Sequence, residues 1–110
     1  MAGAGDRPVT SIPVYTGTMV FDLLLPDDSR SLKQKRSYLR PIVAALRRLE
    51  VAAAEVGLMD RHGRAEIGVA VVASDSHHID EVLSSCERLM AGRPEIELLS
   101  ARRRLYGEHD

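Results

Sequence analysis

The fold of this chain is decided by residues 51–73, which read VAAAEVGLMDRHGRAEIGVAVVA. Residues 51–58 and 65–73 are two apolar runs, rich in alanine and β-branched residues, as is typical of buried strands. Residues 59–64 between them are mostly polar and contain Gly63, which is typical of a turn. We therefore predict an antiparallel hairpin in the middle of the chain.

A helix is predicted on each side of this hairpin. The upstream helix, residues 31–49, has an apolar stripe of Leu32, Leu39, Val43 and Leu46, with Ile42 beside it. Ser29 or Ser31 can cap its first turn, and Pro41 is expected to bend it. The downstream helix, residues 76–91, carries apolar residues at helical spacing and stops at Gly92 and Pro94. Its apolar residues are Ile79, Val82, Leu83, Cys86, Leu89 and Met90.

The outer strands are predicted at residues 15–25 and 96–105. In the first strand Met19, Phe21, Leu23 and Leu25 alternate with the residues of the opposite face and should point to the core. The order is therefore β-α-β-β-α-β. With right-handed crossovers, both helices cover one face of a four-stranded antiparallel sheet, which is the ferredoxin-like α/β (α+β) sandwich.

Length and composition agree with one such domain. The 110 residues suit a single core, which we expect to span residues 14–106. Residues 1–13 are expected to form a flexible N-terminal extension, and residues 107–110 a C-terminal tail. The single cysteine excludes an intrachain disulfide, and no stretch approaches the roughly 20 apolar residues of a membrane span, so we expect a cytoplasmic protein.

Five short segments of the chain form a further pattern. They are LP at 25–26, SLKQKR at 31–36, AEVG at 54–57, RAEIGVA at 64–70 and RPEIELL at 93–99. With them the chain resembles the YlxP-like family of bacterial domains of unknown function, over about residues 14–105. The resemblance implies a ferredoxin-like fold. Because genes of this family often lie near that of ribosome-binding factor A, it also implies a role around ribosome maturation or translation. It implies no catalytic residues, and the turn DRHG at 60–63 lacks an aromatic residue that the family commonly has.

Basic residues without any intervening acid mark the first helix. They are Arg30, Lys33, Lys35, Arg36, Arg40, Arg47 and Arg48. At about 100° per residue, Lys33, Arg36, Arg40 and Arg47 share one flank, and such a stripe can follow a phosphate backbone. We predict that Lys33, Lys35, Arg36, Arg40 and Arg47 contact RNA, the ribosome or another partner, without recognition of a DNA sequence. The alternative is a solvated face whose cations pair with acids of the second helix, which carries Asp80, Glu81 and Glu87.

Two glutamates, Glu55 and Glu66, occupy equivalent places in the two hairpin strands. Two carboxylates can act as acid and base or bind a hard cation, but neither a third acidic ligand nor a nucleophile accompanies them. Ion pairs across the sheet are the favoured interpretation. Lys35, which projects near the apolar stripe, is one expected partner.

Other reactive side chains do not form a site in the sequence. His77 and His78 are adjacent and diverge by about 100° on a helix, so they cannot form an i, i+4 metal pair. Cys86 falls on an apolar stripe, as a packing thiol does. We predict no catalytic residues, no metal site and no cofactor.

The sheet face away from the helices is also expected to be apolar, with Val20, Leu24, Ala70 and Val72 exposed on it. Such a patch favours a homodimer or another partner, unless the N-terminal extension folds over it. Three functions follow. The first is a non-enzymatic accessory protein that binds RNA or the ribosome through the basic helix. The second is a self-associating regulatory module. The third is an enzyme that uses Glu55 and Glu66.

Overall fold

The computed structural model of the chain describes residues 14–107. Its elements follow in the order β1 (Tyr15–Leu24), α1 (Leu32–Arg47), β2 (Ala52–Gly57), β3 (Arg64–Ala73), α2 (Ser76–Ala91) and β4 (Glu97–Tyr106). The predicted β-α-β-β-α-β order and ferredoxin-like fold are confirmed. The extension at 1–13 and the end of the chain at 108–110 lie outside the described residues.

The four strands form one antiparallel sheet in the order β2-β3-β1-β4. β1 and β3 are central and pair from Tyr15 opposite Ala73 to Leu24 opposite Arg64. β2 and β4 are the two edges. The sheet therefore brings the first and last strands of the chain side by side, although they are far apart in sequence.

The core lies between the helices and one face of this sheet. Along β1 the buried residues alternate, so that Met19, Phe21 and Leu23 face the helices as predicted. From α2, Ile79 and Leu83 pack so closely on β1 that a Cβ at Gly17 would overlap Ile79 Cγ2. Gly17 thus sets the distance between helix and sheet at this point.

The first turn of α1 is held by side chains. Ser31 is the N-cap and its hydroxyl accepts a hydrogen bond from the amide of Gln34 at 3.1 Å, while Gln34 Oε1 accepts one from the amide of Arg30 at 2.8 Å. Ser29, the other predicted cap, is buried and donates to the carbonyl of His62. The helix continues through Pro41 to Arg47.

The apolar stripe of α1 differs from the prediction at its start. Leu32 is exposed, and the buried row begins at Lys35 and continues with Leu39, Ile42 and Leu46. The reason is that polar partners, the Glu55 carboxylate and the Leu58 carbonyl, lie where Lys35 ends.

The prediction that Glu55 and Glu66 are equivalent is wrong. Ala54 pairs with Gly68 and Glu55 with Ile67, and the strand bulges at Val56 before Gly57 pairs with Glu66. Glu55 lies opposite the core residue Ile67 and faces the helices, whereas Glu66 lies opposite Asp22 on the other face of the sheet. The two carboxylates are therefore separated by the sheet and cannot act together on one substrate.

Candidate functional site

The exposed face of α1 carries cations and no carboxylates. Lys33, Arg36, Arg40 and Arg47 are all exposed, and at about 100° per residue they fall within roughly 60° of one another. This group is called the basic face below. Arg48, the C-cap residue, is exposed just beyond it.

No described carboxylate lies within ion-pair distance of the basic face. The acids of α2 have other partners: Arg103 of β4 lies 3.0 Å from Asp80 and 3.4 Å from Glu87, and His77 lies 3.4 Å from Glu81. Within residues 14–107, the acids of α2 therefore do not pair with the cations of α1, which was the alternative to a binding surface. The cations of the basic face are therefore not neutralised by any carboxylate among the described residues.

Lys35 is the exception among the predicted contact residues. Its side chain is 2 % exposed, its Nζ lies 2.7 Å from Glu55 Oε2, and it donates a 2.7 Å hydrogen bond to the carbonyl of Leu58. The predicted ion pair with a strand carboxylate is confirmed. The prediction that Lys35 contacts a partner is not compatible with this burial, because a desolvated lysine that already has an anion offers nothing to a phosphate.

Arg47 has one end of its side chain fixed by the backbone of β2. Its Nε and Nη2 donate to the carbonyl of Ala53 at 3.2 and 2.9 Å. This carbonyl belongs to an edge strand, so the guanidinium covers part of that edge and remains charged and exposed. Sequence reasoning identified the charge of Arg47 but not this orientation.

The outer face of the sheet holds the predicted self-association residues. Val20 and Ala70 are half-buried, Leu24 is 41 % exposed and Val72 is 68 % exposed. They do not form one patch, since Leu24 is separated from Val20 by Asp22 on the same face. A continuous apolar depression of about 380 Å³ lies instead toward β2. Its outward-facing residues are Thr18, Val20, Ala52, Ala54, Val56, Gly68 and Ala70. The alternation of β2, with Ala52 and Ala54 opposite Ala70 and Gly68, was the signal that sequence reasoning missed.

A polar cluster lies beside this depression on the same face of the sheet. Asp22 and Glu66 are directly opposite each other, and Arg102 bridges them, 3.1 Å from Asp22 Oδ2 and 3.4 Å from Glu66 Oε2. Ser100 donates to Asp22 at 3.1 Å, and Arg64 lies 3.6 Å from the other oxygen of Asp22. The pKa of Asp22 is lowered on balance. Desolvation is the largest single influence and raises this pKa, but the hydrogen bonds from Ser100 and Arg102, together with the charge of Arg102, outweigh it.

Comparison of the sequence with known protein families shows to which family the chain belongs. The family model described as "Protein of unknown function (DUF503)" matches residues 16–103. The chain belongs to the DUF503 family. No curated protein matches the chain. Among solved structures, a de novo designed protein, Foldit4, is similar at 14 % identity, with 86 % of this chain and 96 % of that one covered and a TM-score of 0.48.

Reactive groups in this DUF503 protein are dispersed. No cluster of three or more His, Cys, Asp or Glu side chains within residues 14–107 could hold a metal ion. Cys86 is buried in the core, and burial raises the pKa of its thiol, only partly opposed by the charge of Arg103. Neither helix of the described part is long and apolar enough to cross a membrane.

Proposed function

We propose that this DUF503 protein is an accessory factor that binds RNA or the ribosome through the basic face of α1. One observation carries the proposal: the four cations of that face are exposed, aligned, and without a carboxylate partner among the described residues. Elsewhere the exposed Arg102 and Arg103 have acidic partners within 3.4 Å. Arg61, Arg88 and Arg104 are also exposed and have no carboxylate partner among the described residues, but they lie apart, in the hairpin turn, on α2 and on β4. An aligned group of unpaired cations is found on α1.

The geometry of the basic face suits a chain of phosphates. Lys33 and Arg47 are 14 positions apart, which corresponds to about 21 Å along a helix axis. Arginine and lysine at such a surface bind phosphate oxygens and release counterions, with no need to read bases. The resemblance to YlxP-like proteins, whose genes often lie near that of ribosome-binding factor A, favours RNA among the polyanions.

The test is the salt dependence of RNA binding. A double variant, Arg36→Ala with Arg40→Ala, should weaken binding of labelled single-stranded RNA and lower the slope of log K against log salt by about 1.4, since each phosphate contact contributes about 0.7. The matched control is Arg102→Ala with Arg103→Ala, which removes the same charge from paired arginines of β4. Fluorescence anisotropy gives both affinities.

Two results contradict the proposal. One is RNA binding that does not weaken as salt rises, since phosphate contacts require it. The other is an equal loss of affinity in the control variant, which would show that net charge matters and the basic face does not. Co-sedimentation with ribosomes, measured for the same two variants, extends the test to assembled particles.

The outer sheet face supports a second proposed function, self-association. Its apolar depression has a floor of Gly68 and three alanines, and Val56 and Val72, 54 % and 68 % exposed, project near it. A second copy fits this shape because the valines of one chain can fill the depression of the other under two-fold symmetry. The neighbouring charges also permit it: Asp22, Glu66, Arg64 and Arg102 sum to zero, so two copies do not repel each other here.

Light scattering tests this interface. The unchanged protein should be a dimer at high concentration, and Val72→Asp should make it a monomer because a carboxylate would be buried in the contact. Met59→Asp, at an apolar position of the hairpin turn that is 55 % exposed, is the control and should remain dimeric. A protein that stays monomeric at high concentration would eliminate this function.

A further inference from the structure

A groove separates the basic face from the edge of the sheet. It lies between α1 and β2 and has a volume of about 300 Å³. Arg36, Arg40 and Arg47 stand around it, and the aliphatic side chains of Leu39, Val43 and Ala44 provide apolar surface within it. A volume of this size is at the lower end of the range for small-molecule sites.

The charge of the groove is positive because its one carboxylate is already neutralised. Glu55 lines the groove, but the buried ammonium of Lys35 lies 2.7 Å from its carboxylate. Three guanidinium groups are left without an acidic partner among the described residues. Arg47 is held in place by its two hydrogen bonds to the carbonyl of Ala53.

This combination of features selects a ligand with an anionic group and a flat, weakly polar body. Phosphates on a chain would lie along Arg36 and Arg40, while a base could rest on the apolar surface and against an arginine plane, as unstacked bases do in single-stranded RNA complexes. A duplex keeps its bases stacked inside and cannot supply one. A peptide carboxylate would satisfy the arginines but would need a neighbouring apolar residue to use the apolar surface, whereas a nucleotide carries both groups in one unit.

We infer that the groove between α1 and β2 seats one nucleotide unit of single-stranded RNA, with its base on the apolar surface of α1. The inference rests on the proposed RNA-binding function and adds the conformation of the RNA and the position of a base. It assigns Leu39, Val43 and Ala44 a role that phosphate binding alone does not require.

The experiment compares three probes on the full chain at one salt concentration. They are a short single-stranded RNA, its duplex with the complementary strand, and a single-stranded oligomer of equal length in which abasic units replace every nucleotide. The RNA strand should bind about tenfold more tightly than the abasic oligomer, the size of one base-stacking contact. It should also bind more tightly than the duplex.

Two variants locate the effect. Ala44→Met places a larger side chain in the groove at an exposed helical position. It should lower the affinity for the RNA strand to the level of the abasic oligomer. The affinity for the abasic oligomer should not change. Ser37→Met, exposed on α1 and outside the groove, is the control and should change neither affinity. Circular dichroism checks that both variants keep their helices.

The outcomes distinguish the two proposals. Equal affinity for the RNA strand and the abasic oligomer, or for the strand and the duplex, overturns the groove inference and leaves phosphate binding intact. An equal loss for both single-stranded probes in Ala44→Met overturns it as well. Failure of the protein to bind any of the three probes removes the proposed RNA-binding function itself.

Discussion

At the scale of single residues, Lys35 illustrates how a charge is kept inside a small domain. Its ammonium is desolvated, and it is stabilised by the Glu55 carboxylate and the Leu58 carbonyl. Leu58 itself has a positive φ of 56°, so a strained residue presents this carbonyl. The contact joins α1 to the end of β2 and removes a basic residue from the surface.

We predict an asymmetric cost when this ion pair is broken. Glu55→Ala should destabilise the protein by about 3–5 kcal/mol, because it leaves a buried ammonium without an anion. Lys35→Met should cost less, since the side chain of Glu55 is 25 % exposed and can be hydrated. Urea unfolding of both single variants and the double variant gives the coupling between them. Additive effects would show that the pair contributes no interaction energy.

Asp22 provides a prediction for the pH dependence of stability. Its pKa is lowered on folding, so the folded state binds the proton more weakly than the unfolded state. The resulting stabilisation is present above the ordinary pKa of 3.8 and is lost as the pH falls through the lower folded value. Asp22→Asn should therefore cost about 1 kcal/mol at pH 7, and the difference from the unchanged protein should shrink below pH 3.8. A difference that is constant with pH would contradict this.

At the scale of elements, α1 combines good capping with an interior proline. Ser31 accepts a hydrogen bond from an amide of the first turn, and Gln34 accepts one from Arg30, just before the N-cap. The row from Lys35 to Leu46 anchors the helix to the sheet. Pro41 has no amide to donate to the carbonyl one turn earlier. The helix persists because packing of its buried row outweighs the missing hydrogen bond.

We therefore expect Pro41→Ala to stabilise the protein. Proline costs about 3 kcal/mol relative to alanine in a helix interior, but it also restricts the unfolded chain, so the net gain should be about 1–2 kcal/mol. Thermal and urea unfolding measure it. Ser37→Ala, a nearby exposed position of α1, is the control and should change stability by less than about 0.5 kcal/mol. An unchanged or lower stability of Pro41→Ala would show that the proline is required for the path of α1.

At the scale of the whole molecule, the two proposed surfaces lie on different layers. The basic face is on α1, which covers the inner face of the sheet, and the apolar depression is on the outer face. β2 lies between them: Ala53 and Glu55 face the helix, and Ala52 and Ala54 face outward. Ala54 lines both the depression and the groove beside the basic face. A dimer formed through the outer face would leave both basic faces exposed.

This separation predicts that the two functions are independent. Val72→Asp should abolish dimerisation and leave the intrinsic affinity for a short single-stranded RNA unchanged within about twofold, since Val72 lies on the outer face of β3 and lines neither the basic face nor the groove. Arg36→Ala with Arg40→Ala should weaken RNA binding and leave the oligomeric state as it is. Light scattering and anisotropy on each variant measure both properties. Loss of RNA binding in Val72→Asp would indicate a site that needs two chains.

Much of the fold follows from local patterns in the sequence. Alternation in β1, helical spacing in α2 and the two apolar runs around residues 59–64 predict element type and order, since each depends on neighbours within a few residues. The basic face follows in the same way, from a helical period applied to Lys33, Arg36, Arg40 and Arg47. These features need no knowledge of distant contacts.

The tertiary structure alone decided which of these residues are available and what they face. Lys35 is buried and Leu32 exposed because the partners of Lys35 come from residues about 20 positions away. Glu55 and Glu66 lie on opposite faces of the sheet because Glu55 pairs with Ile67, a register that the repeated sequence pattern does not show. Asp80 and Glu87 of α2 pair with Arg103 of β4, and Glu81 pairs with His77, so none of them pairs with the cations of α1. The sequence by itself determined the helices and strands, because their periodicity depends on neighbouring residues. Only the tertiary structure decided which side chains are buried and which are paired, because this depends on the elements that come together across the sheet.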